Sequence, residues 1–365
     1  MIVKFNTFLI VFLVLFMTVS AQHEEEAAEK ELSLQVDNRN FFRNNEFFSD
    51  LADGYTLLGF HITPTVQYQV QDKLTIKGGV HALKYTGRED FRKLHPYFGL
   101  SYNFNPEFSM TIGSYSIEDR YRMINPLFSD ERKIDAYVQN GLNFLYDRKD
   151  FYGNLWLDWD QFIYRKDKFR EKFTMGGAFN WKVISGESDI LLSIPLEFLL
   201  RHKGGQINNS ELPIISIFNY TSGANLEYNF TDRFIRKAGI SVLYLSYRDL
   251  SNKDVYAYKN GNAFYPYASV ESQFSRLRVG YWDGYQFYAP SGYPMFQNIA
   301  FDNNTFGKKE RQMITANFRY SRQLIESVDL SVMWGNFVNT ENGNWNYTYS
   351  LSVCFKEDFF LKKLR

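Results

Sequence analysis

One cysteine, Cys354, is all that this 365-residue chain contains. An internal disulfide and a multi-cysteine metal site are therefore excluded. Neither sign of charge is in excess: Lys+Arg and Asp+Glu are both 41. No net field points to nucleic acid or to an acidic partner. Beyond residue 21 no apolar run approaches the ~18 residues of a membrane-spanning helix. Triads, phosphate-cradling glycine loops and zinc or calcium motifs are absent from the sequence. The chain accordingly reads as a non-enzyme, with no catalytic residue, no metal and no cofactor. No long repeat, linker or low-complexity block divides it, so one main domain is expected.

What is abundant is aromatic: 18% of residues, with 35 Phe and 26 Tyr. Residues 1–21 have the form of a cleaved signal peptide. Lys4 supplies the positive start, Phe8 to Val19 the apolar centre, and Val-Ser-Ala the small residues before Gln22. Residues 22–31 are acidic and read as a periplasmic tail. The most informative stretch lies near the other end. From 344 to 356 the chain alternates: Trp345, Tyr347, Tyr349, Leu351, Val353 and Phe355 face one way, Asn346, Thr348, Ser350, Ser352 and Cys354 the other. A period of two is a strand signal that a helix cannot satisfy. Its length suits a tilted strand crossing a bilayer, which needs ~9–11 residues.

On these residues the chain resembles bacterial outer-membrane β-barrels, porin-like, whose last strand carries such an alternating, aromatic-ended pattern. The resemblance implies an all-β fold: a closed antiparallel transmembrane barrel over 32–356, placed in the outer membrane after signal cleavage. It also implies contact with outer-membrane lipid and recognition by the barrel-assembly machinery through the C-terminal strand. Residues 357–365 run past the final aromatic and are expected to form a C-terminal tail. Sixteen alternating segments can be marked: 32–43, 57–70, 73–85, 95–104, 107–118, 134–146, 151–164 and 171–184 in the first half. The second half holds 189–201, 221–230, 235–248, 262–274, 276–288, 312–323, 326–338 and 344–356. Connections after even segments are short; most of those after odd ones are long, such as 44–56, 119–133, 202–220 and 289–311. Barrels of this kind alternate short periplasmic turns with longer outer loops, so both termini are expected in the periplasm. On closure, Leu34 and Val36 should lie near Leu351 and Val353.

Sixteen strands enclose more space than side chains fill, which predicts an aqueous lumen unless loops enter it. By parity, Asp158, Asp160, Glu197 and Glu227 line one wall, and Arg39, Lys77, Arg278 and Arg319 the opposite one. Opposed charge would select small polar solutes by electrostatics and width. Trp156, Tyr265, Tyr267 and Trp282 also face inward. They would stack on sugar rings in an oligosaccharide channel, or pack under an inward loop. The aromatic loop near Tyr285–Phe296 is the candidate for such a loop. His61 and His81 should point into the lumen on adjacent strands, directly opposite or diagonal. Passive diffusion of small polar solutes is thus the expected function. The alternatives are an adhesin or docking barrel with a plugged lumen, and an outer-membrane hydrolase. A hydrolase on the pattern of outer-membrane phospholipases would need a His beside a nucleophilic Ser on the lipid-facing wall, and no such pairing is visible in the sequence.

Overall fold

Period-two segments can satisfy their backbone in hydrocarbon only by pairing all round, because an open edge would leave donors and acceptors unpaired. The computed structural model is accordingly a closed antiparallel barrel of sixteen strands, each bonded to its sequence neighbours and β1 to β16. It describes residues 30–364 except 118–120, 185–188, 206, 208–210 and 232–233. The signal-peptide expectation and all but the last two residues of the acidic tail lie outside the described residues.

The first eight strands are β1 (Lys30–Ser49), β2 (Ala52–Val70), β3 (Leu74–Tyr85), β4 (Lys93–Asn105), β5 (Phe108–Ser116), β6 (Val138–Asp147), β7 (Phe151–Gln161) and β8 (Lys172–Ile184). There follow β9 (Ile190–Lys203), β10 (Ile215–Asn229), β11 (Ile235–Asp249), β12 (Asn260–Ser272), β13 (Ser275–Tyr285), β14 (Glu310–Ile325), β15 (Val328–Asn339) and β16 (Trp345–Leu364). All sixteen expected segments are present. Connections after even strands are short, and both described ends of the chain lie at that end of the barrel. The other end carries the longer connections, chiefly 117–137, 204–214 and 286–309.

Three expectations need correction. Segment 44–56 is no loop: β1 runs to Ser49 and β2 starts at Ala52. β10 begins at Ile215, six residues before the expected 221. Residues 357–364 are no tail: β16 continues to Leu364, pairing with β1 from Lys30. The backbone of β1 from Lys30 to Val36 would otherwise be an open edge. This extension also shifts the closure. Leu34 lies opposite Phe359 and Val36 opposite Glu357, while Leu351 lies opposite Phe42.

The barrel is inside-out relative to a soluble domain. Its exterior is apolar and exposed, as at Leu58, Val66, Ile194, Leu196 and Leu351. Its interior also holds an apolar core, supplied by two connections that fold inward. Residues 117–137, with a short helix α1 (Arg132–Asp135), bury Ile117, Tyr121, Leu127, Phe128 and Tyr137. Residues 286–309 bury Phe287, Tyr293, Met295, Phe296 and Ile299. The two connections dock on one another: Ser129 N–H donates to Ser291 O (2.7 Å) and Tyr293 N–H to Asn125 O (3.0 Å). At their contact a Cβ on Gly292 would come within 2.0 Å of Pro126 O, so only glycine fits.

Candidate functional site

The inward connections decide what the lumen residues do. Trp156, Tyr265 and Trp282 are 1%, 1% and 0% exposed. They do not line water, as an oligosaccharide channel would require. Tyr121 stacks on Trp156 at 4.4 Å, and Phe296 packs edge-on to Trp282 at 4.9 Å. Tyr267 alone of the four borders open space, beside Arg278, whose guanidinium lies 4.2 Å over its ring.

The inward connections also fill much of the space between the charged walls, but Glu197 and Arg278, one from each, border the same cavity. Glu197, on β9, is buried and accepts the backbone N–H of Ile124 at 2.9 Å. It lines a cavity of about 200 Å³ with Arg278, Asn180 and Asn225. Asp158, on β7, is buried and accepts the N–H of Asn140 at 3.0 Å, while Asp160 is exposed. Glu227 pairs with Lys237 at 3.4 Å. On the other side Lys77 donates to Gln35 at 2.6 Å. Arg39 and Arg319 line a second cavity, of about 520 Å³. Arg319 meets Asp130 of the inward connection at 3.5 Å. Sequence reasoning missed the centre of this arrangement. Arg43, 3% exposed, meets Asp130 at 3.1 Å and Glu131 at 3.0 Å and lies over the Tyr293 ring. Its odd number on β1, the parity of Arg39, was the available signal. Burial pushes the Asp130 carboxyl up, but Arg43 and Arg319 outweigh that and hold it below the usual carboxylate range.

His61 and His81 both point into the lumen, buried, with ring centroids 5.6 Å apart. His61 lies opposite Leu83, so the two histidines are diagonal. Neither faces open water. Tyr137 stacks on His61 at 4.3 Å, and the Thr63 hydroxyl bonds His81 Nδ1 at 2.8 Å. His95, opposite His81 on β4, extends the row.

A different chemistry appears on the exterior wall. The outward-facing row of β9 is Ile190, Leu192, Ile194, Leu196, Phe198 and Leu200, and the next residue on that face is His202. Ten residues at ~3.3 Å each, tilted by ~40°, span about 25 Å, the height of the apolar band on such barrels. His202 therefore stands at the polar boundary, at the end with the long connections. Directly across, on β10, lies Ser216. The two side chains touch: Ser216 Oγ is 2.8 Å from His202 Nδ1. The imidazole packs on Phe173 at 4.9 Å. Ser216 is held by its backbone, its N–H donating to Ser251 Oγ (3.1 Å) and its carbonyl accepting from Leu250 N (2.7 Å). The nearest acid along this face by alternation is Glu171, whose carboxylate lies against Gly205. Among the described residues no side chain hydrogen-bonds His202 Nε2. A hydroxyl in contact with an imidazole is the minimal unit of nucleophilic catalysis. The sequence hid it because both residues fell within the expected loop 202–220. Only the early start of β10 turns them into cross-strand neighbours.

Comparison with known proteins bears on both regions. The family model described as lipid A 3'-O-deacylase-type matches residues 23–364. That family is enzymatic, which overturns the expectation that the chain is not an enzyme. No curated protein matches. Among solved structures, the outer membrane protein OprD of Pseudomonas aeruginosa is similar with a TM-score of 0.52 at 9% identity, over 93% of this chain and 97% of that one. A loop L8 deletion mutant of OmpT, an outer membrane protein of Vibrio cholerae, has a TM-score of 0.50 at 11% identity, over 90% and 99%. Identity this low speaks to the fold alone: a closed, porin-like β-barrel.

Proposed function

The chain belongs to the lipid A 3'-O-deacylase-type family, and from that premise we propose that it is an outer-membrane esterase that releases an acyl chain from lipid A. The observation that carries this reading is the contact between Ser216 Oγ and His202 Nδ1, 2.8 Å, on the lipid-facing wall. The end with the long connections faces outward, and both termini lie in the periplasm; the short turns at the opposite end support this orientation. The Ser–His pair then sits where the headgroup of an outer-leaflet lipid meets its acyl chains, the depth of an ester.

In this mechanism His202 carries its proton on Nε2, leaving Nδ1 free to accept. Nδ1 takes the hydroxyl proton as Ser216 Oγ attacks the ester carbonyl. The tetrahedral intermediate collapses, the C–O bond to the sugar breaks, and the departing alkoxide takes the proton from Nδ1. An acyl-serine remains. Water then attacks it, giving its proton to Nδ1, and the fatty acid leaves as Ser216 recovers the proton. Phe173 stacks on the imidazole that meets Ser216.

The test is mass spectrometry of lipid A incubated with the purified protein in mixed micelles. Loss of one acyl chain by the native protein, abolished in Ser216→Ala, supports the reading. Full activity in Ser216→Ala sinks the assignment of the nucleophile.

A second reading has its own observation, the lumen cavity of about 520 Å³ between Arg39 and Arg319. It supports passage of small polar solutes past the inward connections. Single-channel conductance in a planar bilayer tests it, and a closed barrel under all voltages sinks it. An oligosaccharide channel has no support, because three of the four aromatic rings are covered.

A further inference from the structure

The rim beside the Ser–His pair carries a cluster of cations that form no ion pair among the described residues. Lys172 and Lys203 lie directly opposite one another in the β8–β9 register. Like charges in that position destabilise a strand pair. Arg201 is the preceding residue on the same face of β9, and Arg170 lies two residues before Lys172, so alternation puts all four on the lumen side of the rim. Arg170 Nη1 donates to Pro213 O at 2.6 Å and Arg201 Nη1 to Pro290 O at 3.2 Å. Each guanidinium has five donors, so both keep most of them while being fixed in place. Among the described residues none of the four has a carboxylate partner.

Of the acids on the surrounding elements, Asp249 and Asp167 are engaged elsewhere, while Asp160 on β7 and Glu211 in the 204–214 connection are exposed and make no ion pair with the four cations among the described residues. Glu171 alternates to the other face and lies against Gly205. Asp249 is taken by Lys259 and Ser251. Asp167 accepts the N–H of Tyr164 at 2.7 Å, within a connection that adds Arg165, Lys166 and Lys168. Partly buried cations gathered without an anion carry a desolvation and repulsion cost that an incoming phosphate would relieve through charge-assisted hydrogen bonds.

We propose that Arg170, Lys172, Arg201 and Lys203 form a phosphate site that holds the headgroup of the lipid whose ester Ser216 attacks. The proposal rests on the esterase reading for its substrate. Arg201 and Lys203 flank His202 in the chain, one residue either side. Along a strand that is a step of ~3.3 Å. A headgroup lying across the rim places its phosphate over the cations while its acyl chain descends the exterior wall past Ser216. The same chemistry would also suit a free phosphate entering the lumen.

The experiment uses the full-length chain with Ser216→Ala, which cannot turn over, in detergent micelles. Binding is measured for bisphosphorylated lipid A, for dephosphorylated lipid A and for inorganic phosphate. The same measurements are made with Lys172→Gln and Lys203→Gln added, and with both lysines changed to Arg as the charge-keeping control. Loss of charge-assisted bonds should weaken binding of the phosphorylated lipid at least about tenfold. Dephosphorylated lipid A should bind both proteins alike, and the Arg control should bind like the parent. Equal affinity of the Gln variant and the parent for the phosphorylated lipid overturns the site, and so does an equal loss for both lipids. Inorganic phosphate binding as tightly as the phosphorylated lipid overturns the headgroup as its source. Because the measurement needs no hydrolysis, a native protein that shows this discrimination but releases no acyl chain sinks the esterase reading alone.

Discussion

Inside the barrel, Arg43 is 3% exposed and answered by two carboxylates and an aromatic ring. At the rim, Lys172 faces Lys203 across a strand pair, and among the described residues no carboxylate answers either. Near the centre of the lumen the charges are met by protein, while Arg39 and Arg278 each keep a buried Nε without a partner. Asp130 and Glu131 take up Arg43, the N–H of Ile124 takes up Glu197, and the aromatic wall packs against the inward connections. The rim leaves cations unanswered and sets a hydroxyl against an imidazole within reach of lipid. Satisfied buried charge holds a structure in one arrangement, whereas unsatisfied charge beside a nucleophile is the signature of a site awaiting a ligand. The porin-like fold by itself draws attention to the lumen, yet the Ser–His pair proposed to carry the family's chemistry lies on the other surface.

The largest effect that would sharpen this contrast is on catalysis. Ser216→Ala should lower the rate of acyl release by more than about a thousandfold, as loss of a nucleophile does in other hydrolases. The barrel should fold unchanged, read from its heat-modifiable mobility in gel electrophoresis. An Arg43→Ala change should do the reverse. It leaves the partly buried Asp130 with Arg319 and Glu131 with the Tyr55 hydroxyl, and should cost up to roughly 3–5 kcal/mol. Urea unfolding in lipid would measure that cost, with acyl release nearly preserved. If Arg43→Ala abolishes release as fully as Ser216→Ala, the two regions are one functional unit and the contrast fails.

Smaller is the effect of depth on the exterior. Leu196→Arg, on the exposed apolar row of β9, should cost about 2–4 kcal/mol if it sits near the midplane. An Arg in place of His202, at the boundary, should cost about 0–1 kcal/mol in stability. Equal folding yields for the two would refute the depth assigned to the Ser–His pair. The smallest effect concerns acid. The Asp130 carboxyl is held below its ordinary value of 3.8, so the folded state takes up its proton less readily than the unfolded chain. Its contribution to stability is complete above that ordinary value and is lost as pH falls through the lower, folded one. Melting temperatures followed downward from pH 5 should therefore drop less steeply in Asp130→Asn than in the native chain. Parallel curves would mean that the pairing of Asp130 with Arg43 and Arg319 contributes no linkage.

Alternation and connection length alone were sufficient for the number of strands, their facing and the end at which the termini lie. Both are local consequences of pairing a backbone in hydrocarbon, where a side chain either meets lipid or turns inward. The same logic placed His61 and His81 on one face and assigned the inward parity of Glu197, Arg278 and Trp282. What lay beyond it was everything set by long-range register and by irregular chain. The connection 117–137 carries no period, so its burial and its bonds to Arg43 could not be read from spacing. The six residues by which β10 starts early form no distinctive pattern, and Ser216 was therefore indistinguishable from a loop serine. Tertiary structure decided that Ser216 faces His202, because a cross-strand partner is chosen by the whole ladder of hydrogen bonds between two strands and not by the residues that happen to meet.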